Sequence, residues 1–149
     1  MCFADCVPVI LVAPGAFAVV HSGWRGTIAR IAEKAARALC AEAGCAPREL
    51  LAYVGPHIGW ADYEVSEELA ERFEAAFGPA AVPAPRHLDL AACVRAALAD
   101  AGVAEGSVTV CDVSTASATD RFFSYRAEGG TCGRHAAIAL MRKGEATLG

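Results

Sequence analysis

A cysteine and a histidine near the start of the chain have the residue types and the spacing of a metal or nucleophile site. A hairpin that turns on Pro14-Gly15 pairs residues whose numbers sum to 29, so Cys6 lies opposite Gly23 and shares a face with His21. Such diagonal neighbours have Cβ atoms roughly 7 Å apart or less. A metal bound by a thiolate at about 2.3 Å and an imidazole at about 2.0 Å spans that gap. A Cys–His nucleophile pair fits it equally well.

Both interpretations depend on the register of the hairpin. A shift by one residue places Cys6 and His21 on opposite faces and removes the site. A cysteine and a histidine at the ends of strands are also common as ordinary packing residues, so that explanation stays open.

A glycine-rich loop, His21-Ser22-Gly23-Trp24-Arg25-Gly26, follows the hairpin. Backbone amides freed by the two glycines, together with the guanidinium of Arg25 near the start of a helix, suit an anion such as phosphate. The loop is not a P-loop, because the chain has no GxxxxGK[ST] motif. A strand-to-helix turn with Trp24 packed against the core explains the same residues.

Two later segments carry further candidates. The first, Gly55-Pro56-His57-Ile58-Gly59, has the composition of a turn, and its histidine is more typical of a surface or supporting position than of a ligand. The second places Phe123 and neighbouring aromatic residues beside Arg126 and Arg134, which suits stacking of a base and binding of a phosphate. Core aromatic residues beside solvated arginines explain that segment as well. The remaining histidines and cysteines are assigned to packing: His87, His135 and the cysteines at 40, 45, 93, 111 and 132.

The elements that must position these residues follow from apolar periodicity and capping signals. The runs typical of strands are 7–12, 17–20, 50–54 and 108–113. Helices are predicted from the cap Thr27 to about Ala43, from Ser66 to near Phe77, and from Asp89 to about Ala101. Residues 122–125 are predicted to be extended, and 135–141 fit either a helix or a buried strand. The pattern predicts one α/β (α+β) domain over residues 1–149, with a mixed, partly antiparallel sheet and about three helices.

Composition excludes several classes of protein. The chain has 149 residues and a net charge of −4, and its 13 basic residues are scattered, which argues against binding of nucleic acid. No apolar run approaches the roughly 18–20 residues of a membrane span. The seven cysteines are irregularly spaced without a CxxC, and no export leader opens the chain. We therefore expect a cytoplasmic protein. The sequence does not indicate its oligomeric state.

Taken together, the motifs resemble the laccase-domain or multicopper polyphenol oxidase family, whose members have been reassigned as purine nucleoside phosphorylases. The segments that carry the resemblance occur in the expected order over nearly the whole chain: Ala4-Asp5-Cys6, His21-Ser22-Gly23-Trp24-Arg25-Gly26, Gly55-Pro56-His57-Ile58-Gly59, Tyr63-Glu64, Asp89-Leu90, Phe122-Phe123-Ser124-Tyr125-Arg126 and Gly133-Arg134. The first two of these segments, taken together, are specific for the family, whereas each of the others alone would be weak evidence. Departures from the family pattern occur at Ser114-Thr115, where Cys-Thr is usual, and at Ala127, where a second arginine often follows.

The resemblance implies a zinc ion, with copper as the reported alternative, held by His, Cys and His. Cys6 and His21 correspond to two of these ligands. The family's other ligand lies in a segment upstream of the Ala-Asp-Cys motif, and this chain shows no counterpart of it, so we expect a domain truncated at its N-terminus. His57 is a weak substitute. Three ligands and a water are usual for a catalytic zinc, so two leave the site incomplete.

The implied activity is phosphorolysis of adenosine, inosine and methylthioadenosine, with some deamination of adenosine. In this hypothesis Cys6, His21 and Arg126 are catalytic, while Arg25, Phe123 and Arg134 bind nucleoside or phosphate. Three alternatives remain: a copper phenol oxidase, for which four histidines are too few; a metal-free cysteine hydrolase; and a non-enzymatic remnant or binding module.

Overall fold

The computed structural model describes residues 1–141, and its centre is the predicted hairpin. Strand β2 (Val7–Ala13) pairs antiparallel with β3 (Ala16–Ser22), and Val7 lies opposite Ser22. The turn is the two-residue Pro14-Gly15 connection, and Gly15 has a φ of 73°, which glycine adopts without steric cost. The predicted register is confirmed, so Cys6 and His21 lie on the face that the numbering requires.

Two short strands complete the main sheet. β4 (Leu51–Val54) runs antiparallel to β2, and β5 (Val108–Val110) runs parallel to β4, which gives the order β3-β2-β4-β5. A separate two-stranded ribbon pairs β1 (Cys2–Phe3) antiparallel with β6 (His135–Ala136). The mixed, partly antiparallel α/β fold predicted from the sequence is confirmed.

Residues 1–141 contain four α-helices rather than about three: α1 (Trp24–Ile28), α2 (Ile31–Ala43), α3 (Glu67–Phe77) and α4 (Leu90–Ala101). The predicted caps of the last two are confirmed. The Ser66 hydroxyl accepts from the amide of Leu69, and Asp89 Oδ1 accepts from the amide of Ala92. Left-handed glycines end α2 and α4 at Gly44 and Gly102.

The prediction of a single helix from Thr27 to Ala43 is wrong. Arg30 adopts a left-handed conformation with a φ of 58° and separates α1 from α2. Its guanidinium binds Glu33 and Asp100, and it lies 5.2 Å from the centre of the Phe77 ring. Thr27 is not a cap, because its buried hydroxyl is hydrogen bonded to the Ser22 hydroxyl at 2.8 Å.

Three other predicted elements are corrected. Residues 122–125 are not extended, because Arg121 and Phe122 donate their amides to Ala118 and the chain then turns. The strand predicted over residues 108–113 is shorter, because β5 ends at Val110. In the segment 135–141, which fitted either a helix or a strand, only His135–Ala136 forms a strand.

The core lies between the sheet and the helices. The inward side chains of β2 and β4 are buried, and α2 lies against β2 and β3 and packs on α4. Burial of such apolar surface is the main stabilising contribution, at roughly 25 cal/mol per Å². No helix within residues 1–141 is long and apolar enough to cross a membrane.

Candidate functional site

Cys6 and His21 meet at Gly23, where β3 leads into α1. A Cβ atom added to Gly23 would lie 2.8 Å from Cys6 Sγ and 4.0 Å from His21 Nε2, so the two side-chain atoms are within 6.8 Å of each other. Only glycine leaves this space free, because a Cβ under 3.0 Å from sulfur would displace it. The hairpin register therefore brings a thiol and an imidazole to one point.

The pair opens into a cavity of about 380 Å³. Arg25 is exposed at its wall, and its guanidinium lies 4.3 Å from the centre of the Trp24 ring, within the range of a cation–π contact. The residues that line the cavity are Asp5, Cys6, His21, Gly23, Trp24, Arg25, Gly26, Ile58, Tyr63 and Leu90. A thiol, an imidazole and a cation thus face one space that is large enough for a small molecule.

The His21 imidazole packs in an aromatic stack. The Phe3 ring, fully buried in β1, stacks on the imidazole at a centroid distance of 4.7 Å. His21 is exposed at the surface, and its partial desolvation, followed by the N-terminal ammonium, lowers the pKa of its ring. The ring is therefore neutral at neutral pH and has a nitrogen lone pair for a proton or a metal.

Asp5 fixes the loop that carries Cys6. The aspartate is buried in a left-handed conformation with a φ of 78°. Oδ1 accepts from the Thr115 hydroxyl and Oδ2 accepts from the amide of Arg126, both at 2.7 Å, while its carbonyl accepts from the amide of Ile58 at 3.0 Å. One residue thus connects three segments that are remote in sequence.

The environment of Cys6 disfavours a metal-free cysteine nucleophile. Burial raises the pKa of the thiol and the carboxylate of Asp5 raises it further, while a backbone hydrogen bond at Cys6 and the charge of Arg134 lower it to a lesser extent. Activated cysteines have the opposite shift, because the thiolate is the reactive form. The hydrolase hypothesis therefore loses support.

Arg126 lies beside the cavity. Its guanidinium is 5.2 Å from the centre of the Tyr63 ring, which lines the cavity, and it donates to the carbonyl of Glu64 at 2.8 Å. Burial raises the pKa of Tyr63, so its hydroxyl stays protonated and can donate a hydrogen bond.

Phe123 and Arg134 do not line this cavity. Phe123 is exposed and packs on Gly133, where an added Cβ would lie 2.6 Å from its ring. Arg134 donates to the carbonyls of Cys132 and Gly133, and its guanidinium lies 5.9 Å from the centre of the Tyr125 ring. The two residues are neighbours of each other, and neither lines the cavity at the Cys6–His21 pair, although the charge of Arg134 acts on the Cys6 thiol.

Within residues 1–141, no group of three or more His, Cys, Asp or Glu side chains is arranged to hold a metal ion. His57 is buried, its Nδ1 is hydrogen bonded to the carbonyl of Gly55 at 2.8 Å, and it does not line the cavity. Cys6 and His21 are of the types that zinc prefers, and they supply two ligands of the usual three.

The sequence did not reveal the roles of Asp5, Ile58 and Leu90 in the site. Asp5 was noted only as a neighbour of Cys6, since a positive φ and hydrogen bonds over more than 100 residues have no local signature. Ile58 and Leu90 reach the cavity only through the packing of the fold. Leu90 follows the helix cap Asp89, and that cap was the one local signal.

Comparisons with known proteins agree with the fold and the motifs. The family model described as multi-copper polyphenol oxidoreductase laccase matches residues 1–142. A purine nucleoside phosphorylase of Deinococcus radiodurans is 35% identical over 98% of this chain and 58% of its own length. A protein named adenosine deaminase RL5, from an unknown prokaryotic organism, is 36% identical over 88% of this chain and 52% of its own length.

A solved structure has the same fold. The crystal structure of YlmD from Geobacillus stearothermophilus matches with a TM-score of 0.80 and 33% identity, over 89% of this chain and 53% of that one. The chain thus spans a little more than half the length of the relatives that it matches.

Proposed function

Because this chain belongs to the multi-copper polyphenol oxidoreductase laccase family, we propose that it provides part of a metal-dependent purine nucleoside phosphorylase. The observation that carries the proposal is the convergence of Cys6 and His21 on Gly23, at a cavity that also presents Arg25. The relative of D. radiodurans bears the name purine nucleoside phosphorylase, and it aligns with 98% of this chain.

Cys6 and His21 would hold the metal, which we propose to be zinc, with copper as the alternative. A thiolate and a neutral imidazole are preferred zinc ligands, and the lowered pKa of His21 keeps its ring neutral. Bound zinc supplies Lewis-acid chemistry and an activated water. Since residues 1–141 contain no set of three ligands, the proposal requires a further ligand from outside them.

In phosphorolysis, a phosphate oxygen forms a bond to C1′ of the ribose while the bond from C1′ to the purine nitrogen breaks. The bonding electrons leave with the purine, which takes up a proton, and the products are the free base and ribose 1-phosphate. Arg25 stands at the cavity wall and would bind the phosphate, and Arg126 would stabilise negative charge from beside Tyr63.

The purine would be bound near Tyr63, whose protonated hydroxyl can donate to a ring nitrogen or carbonyl. Phe123 and Arg134 would contribute from the neighbouring surface rather than from the cavity itself. Deamination of adenosine is a second candidate activity, because one relative is named adenosine deaminase.

The test is an assay, with inosine and phosphate, of a zinc-loaded chimera in which this chain replaces the matched 58% of the D. radiodurans relative, so that the rest of that protein would supply the further ligand. We expect hypoxanthine and ribose 1-phosphate in equal amounts, and no hypoxanthine when phosphate is omitted. Cys6→Ala and His21→Ala are expected to reduce the rate to background. With adenosine, release of ammonia separates deamination from phosphorolysis, which releases adenine.

Cys45→Ser and His87→Gln are the matched controls, because neither residue lines the cavity. Both variants are expected to keep the wild-type rate. A chimera that binds zinc through Cys6 and His21 and yet forms neither product contradicts the proposed function.

A further inference from the structure

Cys40 and Cys45 form a thiol pair at the C-terminal end of α2. Cys40 lies in the last turn of the helix, and its carbonyl accepts a hydrogen bond from the amide of Cys45 at 3.1 Å, across the left-handed residue Gly44. Such a six-residue closure at a left-handed glycine is a Schellman motif, whose two end residues commonly make a side-chain contact. The end of the helix thus brings two cysteines together.

The two thiols are close enough to interact. Burial raises the pKa of Cys40, and the adjacent Cys45 thiol and the carboxylate of Glu49 raise it further. Both cysteines also pack against the hydrophobic core. A disulfide joins Cα atoms about 4.4–6.8 Å apart. Residues joined by a main-chain hydrogen bond lie at about that separation, so the pair can be cross-linked with little movement of the backbone.

The two cysteines differ in their access to solvent. Cys40 is 7% exposed, whereas Cys45 is half-buried in the loop beyond the helix. Gly44 between them is exposed, and within residues 1–141 nothing lies within 4 Å of a Cβ at that position. A small molecule that approaches from the Gly44 side therefore reaches Cys45 first, with Cys40 behind it. Redox-sensing cysteines are often arranged in this way, with an accessible thiol beside a second one that resolves the first product.

We propose that Cys40 and Cys45 are a redox modification site, which a low-molecular-weight disulfide such as oxidised glutathione converts into an intramolecular disulfide. The Cys45 thiolate attacks one sulfur of the small disulfide, and the other half leaves as a thiolate that takes up a proton. Cys40 then loses its proton and attacks Cys45 Sγ in the mixed disulfide, which releases the second small thiol. The two protein thiols are oxidised by two electrons, and the small disulfide is reduced to two thiols.

The cross-link fixes the connection between α2 and β4. Pro47–Glu49 forms a short helical turn just after Cys45 and leads into β4. The end of α4 rests on the same turn, since a Cβ added to Gly102 would lie 3.4 Å from Pro47 Cβ. A disulfide at this place restricts the unfolded chain and so stabilises the folded one. Neither cysteine lines the cavity at the Cys6–His21 pair, so the inference does not depend on the proposed function.

The test incubates the full chain with oxidised glutathione or with a reducing agent, quenches it with acid, alkylates the free thiols of the unfolded chain and digests it with trypsin. Cleavage after Arg37 and Arg48 releases both cysteines in one peptide, residues 38–48. From the oxidised sample we expect this peptide without alkyl groups and two hydrogen atoms lighter than the dithiol. From the reduced sample we expect it with two alkyl groups. The oxidised chain is also expected to melt roughly 5 °C higher.

Two variants separate the roles of the cysteines. Cys40→Ala removes the resolving thiol, so Cys45 should retain glutathione as a stable mixed disulfide on the same peptide. Cys45→Ser should leave Cys40 free and alkylated after the same treatment. Cys111→Ser is the matched control at another half-buried cysteine, and it is expected to form the disulfide as the wild type does.

Circular dichroism checks that each variant folds, and the wild-type chain alone can overturn the proposal. Alkylation of both cysteines after incubation with oxidised glutathione overturns it. A disulfide from Cys40 or Cys45 to another cysteine or to a second chain also overturns it, as does glutathione that remains attached to wild-type Cys45. The readouts are peptide mass and melting temperature, so loss of enzymatic activity does not affect them.

Discussion

Gly23 sets the distance between the two side chains on which the candidate site depends. Its backbone is extended, with a φ of −77°, so alanine is compatible with its conformation. The added methyl group, however, would lie 2.8 Å from Cys6 Sγ. We therefore expect Gly23→Ala to displace Cys6 and to abolish zinc binding, measured by metal analysis after dialysis, while the melting temperature of the metal-free protein changes little.

Gly106→Ala is the control for this prediction. Nothing lies within 4 Å of a Cβ at Gly106, and its backbone is not in the left-handed region. This variant is expected to retain zinc as the wild type does. If Gly23→Ala also retains it, the metal does not depend on the close approach of Cys6 to Gly23.

At the residue scale, the Cys6–His21 pair could be predicted from the sequence, but the contacts of Asp5 that position Cys6 could not. Cys6 and His21 follow from a two-residue turn, because the turn fixes every pairing in the hairpin. Asp5 acts through Thr115 and the amide of Arg126, which are 110 and 121 residues away. No local pattern encodes such contacts.

At the scale of elements, Asp5 connects the loop between β1 and β2 to the segments that follow β5. Asp5→Gly keeps the left-handed backbone and removes both carboxylate acceptors, which leaves the amide of Arg126 and the buried Thr115 hydroxyl without them. Hydrogen bonds to charged groups contribute about 1.5–3 kcal/mol each. We expect chemical denaturation to show a loss of about 3 kcal/mol or more in the free energy of unfolding.

Asp112→Gly is the control, because it makes the same change at an exposed aspartate in the loop that follows β5. It is expected to cost less than about 1 kcal/mol, close to the ordinary entropic cost of a glycine. Equal losses in the two variants would show that Asp5 contributes no more than its backbone conformation.

The elements that were predicted correctly are those with local boundaries. Ser66 and Asp89 cap α3 and α4 through hydrogen bonds within three residues, and Gly102 ends α4. The break at Arg30 was not predicted, because Asp100, which binds its guanidinium, lies 70 residues away. The prediction that residues 122–125 are extended was wrong for a related reason. The amide of the adjacent Arg126 donates a hydrogen bond to Asp5, which lies near the other end of the chain.

At the scale of the whole molecule, the two faces of the main sheet differ, because the helices pack on only one of them. Helices cover the inner face, where the core is apolar and buried. On the opposite face, the β1–β6 ribbon packs beside His21 and Pro8, at the end of the hairpin where the Cys6–His21 pair lies. The two candidate metal ligands and the ribbon that packs on His21 therefore lie at one place in the molecule.

Zinc is expected to stabilise the whole fold if Cys6 and His21 bind it. Cys6 directly precedes β2, His21 is the penultimate residue of β3, and the two are brought together only on folding. A ligand at about one hundred times its dissociation constant adds about 2.7 kcal/mol when it binds the native state alone. For a chain of 149 residues, this corresponds to a rise of about 5–10 °C in the melting temperature. Thermal denaturation with zinc and with a chelator measures the shift. Cys6→Ala and His21→Ala should each abolish it, whereas Cys45→Ser should retain it. The same shift in all three variants would place the bound zinc elsewhere in the chain.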